Sequence, residues 1–169
     1  MKGLIRLSII ALSIAGCGFI PEKVDIGDPR VQSLLKVASS FDRTSYGFSS
    51  IPNEAKDVRL ALRPTDRYDA MLHIDSKTSR TIAFRKVSGG YRWIGEQESF
   101  RGPKRYTNVD GMFYEQVVLN YDIEKVSGDP TNVLVVSYWG EDSRLSNGGQ
   151  VRKGLTLNDV KPILKEWGY

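Results

Sequence analysis

Between Val58 and Trp139 apolar residues recur at every second position, and this alternation constrains the fold more than any other feature of the chain. Val58, Leu60 and Leu62 are spaced by two, with Arg59 and Arg63 on the other side. Tyr68, Ala70, Leu72 and Ile74 alternate with Asp69, Met71, His73 and Asp75. Further segments run over Thr81–Val87, Tyr91–Glu98, Phe113–Tyr121 and Val133–Trp139. A period of two belongs to strands, because successive side chains point to opposite faces. Ser88-Gly89-Gly90 is a hairpin signal, and Asp110-Gly111 reads as a turn rather than a metal loop, since the other ligands of a calcium loop are missing. The connections are too short for parallel crossovers, so the sheet is expected to be mostly antiparallel. Val133–Trp139 is apolar on both faces, which predicts a central strand.

Helix signals flank the strands. Asp28 precedes Pro29, a cap followed by the residue best suited to the first helical position. Val31, Leu34, Leu35, Ala38 and Phe41 then share one face, and the helix is expected to end near Ser40. At the other end Thr156 and Asp159 have the spacing of a capping box, followed by Val160, Ile163, Leu164 and Trp167 on one face. Pro162 predicts a distorted first turn there. The expectation is a single α+β domain over residues 28–169. It comprises a mostly antiparallel sheet of about six strands, with an N-terminal and a C-terminal helix packed on it. The polar and aromatic stretch from Phe41 to Asn53 reads as a long covering strand whose rings pack on the sheet, or alternatively as a contact loop presenting its rings to a partner.

The first seventeen residues carry a different signal. Lys2 and Arg6 are the only charges before Cys17, and Leu7–Ala15 is apolar apart from serine. A basic start, a short apolar run and small residues describe a secretory signal. The run ends in Ile14-Ala15-Gly16-Cys17. This resembles the lipobox of bacterial lipoproteins: an aliphatic residue, two small residues, then cysteine. The resemblance covers these residues alone. It implies cleavage after Gly16, a diacylglycerol on the Cys17 sulfur and acylation of the new amino terminus. Two or more acyl chains anchor stably, where one binds marginally. Residues 1–16 are then a removed signal and 17–27 a lipidated cysteine with its tether. By the same analogy Gly18, in place of an aspartate, implies the outer membrane, facing the periplasm.

Composition agrees with export. Cys17 is the sole cysteine among 169 residues, so the domain holds no internal disulfide and no cysteine nucleophile. The 153 residues from Cys17 onward are enough to build a core without staples. They carry twenty-two basic and twenty acidic residues, a net charge of +2.

The search for catalytic motifs finds no nucleophile elbow, zinc-binding helix, phosphate loop or dinucleotide fingerprint. No cofactor and no metal site is expected. His73 is the single histidine and shares a strand face with Asp69 and Asp75, a pattern open to general-base work and equally expected on a solvent-facing strand. Glu96 and Glu98 lie two apart, near the carboxylate separation of glycoside hydrolysis, yet the same pair keeps an edge strand soluble. Trp139, Glu141, Asp142 and Arg144 form an exposed site or cap the sheet end.

Charge is distributed unevenly. Residues 76–106 hold eight basic residues against two acids, and residues 107–130 five acids against one lysine. Arg85, Lys86, Arg92, Trp93, Arg101, Lys104 and Arg105 are the candidate binding surface, with Tyr91 and Tyr106 among them. In an exported, lipid-anchored protein such a surface fits an envelope protein or an anionic envelope polymer rather than nucleic acid. The alternative is a solvated surface neutralised by the acidic segment. The reading that follows is a non-catalytic interaction module held at the membrane, of the envelope-assembly or toxin-immunity kind. A small hydrolase of cell-wall or lipid substrate, or a carrier of a small apolar ligand, are the alternatives.

Overall fold

A computed structural model describes residues 21–107, 111–124, 131–140 and 150–169. The signal segment, Cys17, Gly18, Asp110, Glu141, Asp142 and Arg144 lie outside the described residues. The elements in chain order are β1 (Glu22–Lys23), α1 (Pro29–Ala38), β2 (Asp57–Ala61), β3 (Ala70–Asp75), β4 (Ser79–Val87) and β5 (Gly90–Arg101). They are followed by β6 (Arg105–Thr107), β7 (Gly111–Asp122), β8 (Thr131–Gly140), β9 (Gln150–Leu155) and α2 (Leu157–Glu166). A single 3-10 turn at Thr44–Tyr46 lies after α1.

All nine strands belong to one antiparallel sheet in the order β1-β2-β3-β4-β5-β7-β8-β9, with β6 paired to β7 beyond the end of β5. Among the described residues the strands number nine rather than about six. The six expected strands are β2 to β5, β7 and β8. The three others carry little or no alternation of their own: β1 has two residues, β6 has three, and β9 reads Gln-Val-Arg-Lys-Gly-Leu. Strands at a sheet margin are held by backbone pairing and need no continuous apolar face. β8 is next to β9 at one side of the sheet, not at its centre. It is nevertheless buried on both faces, through Val133 and Val135 on one and Leu134 and Val136 on the other.

Both helices cover the same face. α1 starts where its cap predicts, with Asp28 accepting from the Arg30 amide at 2.8 Å. It lays Val31, Leu34 and Ala38 on Leu60, Leu72, Ile82 and Phe84. α2 carries the expected reciprocal cap between Thr156 and Asp159 and is helical through Pro162. It places Val160 and Leu164 on Phe100, Val117, Leu119 and Val135. Its last residues come close to the strand break at Gly102, where a Cβ would lie 2.7 Å from the Trp167 ring. Only glycine allows that approach. Between the helices, the segment after α1 folds over the middle of the sheet. Its rings pack downward rather than outward: Phe41 stacks on Trp93 at 4.0 Å and lies 4.8 Å from Tyr121, and Phe48 is buried. Phe41–Asn53 is thus a covering segment without strand structure.

Candidate functional site

The centre of the sheet holds charge. β4 and β5 pair so that Arg80 faces Glu98 and Ile82 faces Glu96, all on the helix-covered side. Glu96 and Glu98 are fully buried and Arg80 is 1% exposed. The Arg80 guanidinium donates to Glu96 at 2.6 Å and to Glu98 at 3.1 Å. Arg43, from the covering segment, forks onto Glu96 at 2.8 and 3.1 Å and donates to the Ala38 carbonyl at 2.7 Å. Glu98 also accepts from the Ser49 amide, the Ser49 hydroxyl and the Thr78 hydroxyl. Two arginines thus balance two carboxylates, and Glu98 gains further hydrogen bonds, the pairing that lets ions sit in a core, while the buried Arg80 Nε has no partner among the described residues.

This arrangement removes both readings of the Glu96–Glu98 pair. They are not on an edge strand, because β5 lies between β4 and β7. They also have no solvent face from which to protonate a substrate. They pin the covering segment to the sheet, between the apolar clusters under α1 and α2, with Trp93 packed against both.

His73 lies on the other face, in β3, with its Nδ1 3.1 Å from the Thr81 hydroxyl. Burial holds its imidazole below the ordinary histidine value, against the opposing pull of the Asp75 and Asp57 carboxylates, while Arg59 adds to the depression. Asp69 is turned away, accepting from the Lys86 amide at 2.7 Å. The unfolded chain therefore takes up this proton at higher pH than the folded one. As pH falls from about 6.5, His73 withdraws stability, and the loss stops growing below its folded value. As the single imidazole of the chain it gives one set of ring C–H resonances by NMR. Their titration midpoint should lie below that of a histidine peptide. A midpoint at or above the peptide value would contradict the burial described. Among the described residues no group of three or more His, Cys, Asp or Glu side chains converges in a metal-binding arrangement.

The expected basic surface divides. Arg85 and Arg92 are cross-strand neighbours at the hairpin end of the β4–β5 ribbon, and both donate to Glu124, at 2.8 and 2.7 Å. Glu124 is held below the ordinary carboxylate range by these guanidinium groups, Arg85 first. Here the acidic segment meets the basic one, a single carboxylate engaging both guanidinium groups. Lys86 remains exposed beside them. Trp93 is not part of this surface: it points to the helix-covered side, half-buried under Phe41 and 5.2 Å from Tyr121.

Arg101 lies nine residues beyond Arg92 on β5, about 30 Å away along an extended strand. It is exposed, with its guanidinium 5.2 Å from the Tyr114 ring. The strand then breaks at Gly102-Pro103 and resumes after Lys104 as β6; Lys104, Arg105 and Tyr106 are all exposed, the tyrosine at 80%. Among the described residues Arg101, Lys104 and Arg105 meet no carboxylate within ion-pair distance, and β6 has one strand neighbour, β7. In the sequence these cations are indistinguishable from Arg85 and Arg92. The deciding residue, Glu124, was visible only as one acid in an acidic segment.

No family model matches this chain, and neither a curated protein nor a solved structure does.

Proposed function

We propose that this chain is a bacterial envelope lipoprotein, anchored through Cys17, whose folded body acts as a non-catalytic interaction module for an anionic envelope partner. The partner surface is β6 and its approach: Arg101, Lys104, Arg105 and Tyr106. The observation that carries this reading is the 80% exposed Tyr106 ring, set among cations that meet no carboxylate among the described residues, on a strand whose one described neighbour is β7. Unpaired cations around an exposed aromatic attract carboxylate-bearing surfaces and give the ring a place to bury. The lipobox residues Ile14, Ala15 and Gly16 before Cys17 support the anchor, and Gly18 supports the outer membrane. The folded body begins by Pro21, since Glu22–Lys23 already pairs with β2. The four residue steps from Cys17 to Pro21 reach at most about 14 Å, so the module works close against the bilayer. The buried, arginine-bound state of Glu96 and Glu98 favours this reading over a hydrolase.

Binding to isolated cell-wall sacculi and to vesicles containing anionic lipid tests the proposal. The unlipidated Cys17→Ser chain should bind at least one of them at low salt and release at high salt. The double substitution Lys104→Glu, Arg105→Glu should weaken that binding about tenfold or more. Reversal of Arg85 and Arg92 should change it far less, because both guanidinium groups are already engaged by Glu124. Equal binding by the Lys104–Arg105 variant would refute the β6 surface.

A further inference from the structure

Two clefts meet at the turn between β3 and β4. The first, of about 510 Å³, lies between α2 and residues 47–52, and Phe48, Phe100, Leu157 and Leu164 make its walls largely apolar. The second, of about 390 Å³, opens on the other side of the turn and is polar, lined by Asp75, Ser79, Ser99 and Gln116 with Lys56 and Arg101. Ser76, Lys77, Thr78 and Tyr169 line both. Lys77 stands at the junction: its ammonium donates to the Gly168 carbonyl at 2.6 Å and sits 4.8 Å from the Tyr169 ring centroid. An ammonium has three N–H donors, so two remain for another acceptor.

We propose that the paired clefts bind one anionic, single-chain amphiphile. Its acyl chain occupies the apolar cleft and its phosphate the polar one, against Lys77, Lys56 and Arg101. The argument rests on complementarity of both ends. Water in the apolar cleft would otherwise lie against the partly exposed Leu157 and Tyr169 side chains, and an alkyl chain displaces that water favourably. The polar cleft carries three cations against the single carboxylate of Asp75, with hydroxyl and amide groups to orient a phosphate ester. Neither half selects the ligand alone: the apolar cleft accepts any alkyl chain, and the polar cleft any small anion. Their shared wall makes one molecule with both ends the fitting occupant. This site is separate from the β6 surface and shares only Arg101 with it.

The test uses the full chain carrying Cys17→Ser, with binding measured by native mass spectrometry and titration calorimetry below micelle concentrations. The probes are 1-myristoyl lysophosphatidic acid, uncharged 1-myristoylglycerol and glycerol phosphate. The lysophosphatidic acid should bind at least tenfold more tightly than either of the others. Lys77→Glu should lower its affinity about tenfold by reversing charge at the junction. Ser50→Trp, at an exposed position lining the apolar cleft, should do the same by filling it. Both variants should keep the wild-type melting temperature, which separates lost binding from lost folding. Absence of binding by all three probes would overturn the proposal, as would equal binding of the uncharged lipid or of glycerol phosphate. Two folded variants that bind like the wild type would overturn it as well.

Discussion

Arg80→Leu should lower the unfolding free energy by about 3–5 kcal/mol, the cost of breaking a buried ion pair from one side. Leucine fills much of the space but leaves Glu98 without a cation and Glu96 with Arg43 alone. Both carboxylates are fully buried, so neither recovers hydration. The Ser49 and Ser50 carbonyls lose their guanidinium donor at the same time, which loosens the covering segment. Denaturant titration with tryptophan fluorescence reads the change as a lower midpoint at an unaltered slope. Adding Glu98→Gln to Arg80→Leu should return part of the loss, because the substitution removes the stranded charge. A surface comparison fixes the scale. Arg85→Leu breaks a pair with Glu124 whose partners are 26% and 34% exposed, and should cost no more than about 1 kcal/mol. Equal small losses for Arg80→Leu and Arg85→Leu would contradict the buried network.

Cys17→Ser should abolish lipidation outright. The anchor reading assigns the lipid to a thioether, and serine offers an oxygen where that chemistry needs sulfur. Cells fed an alkyne fatty acid should label the wild-type chain and leave the variant unlabelled. The variant should also accumulate with residues 1–16 attached, and the wild type should fractionate with membranes after washing in high salt or carbonate. The effect is all-or-none, since Cys17 is the sole cysteine. A labelled serine variant, or a wild-type chain recovered unlabelled with a free thiol, would end the anchor reading. It would leave the fold and the β6 surface to stand on their own tests.

Local order was readable where neighbours in sequence decide it. Asp28 caps α1 and Thr156 with Asp159 caps α2 because a cap is made within three residues. The six alternating segments became strands because each has a face to bury. β6 and β9 were hidden because pairing with β7 and β8 holds them, and pairing partners leave no mark on a short polar segment. The pattern of Glu96 and Glu98 was equally misleading. Two glutamates spaced by two look the same on a solvated edge and in a central strand, and the counter-charges that distinguish the cases come from Arg80 and from Arg43, 53 residues away from Glu96. The basic surface was over-drawn for the same reason: Arg92 and Arg105 are alike as residues, and Glu124 separates them.

The sequence alone determined the period-two strands, the two capped helices, the antiparallel sheet and the tetrapeptide ending in Cys17, all of which depend on contacts within a few residues. Tertiary structure alone decided which charges are buried against each other, which cations at β6 meet no carboxylate among the described residues, and that an apolar and a basic cleft share Lys77. Those outcomes depend on strand register, and register brings together side chains whose interaction energy is set by burial rather than by distance along the chain.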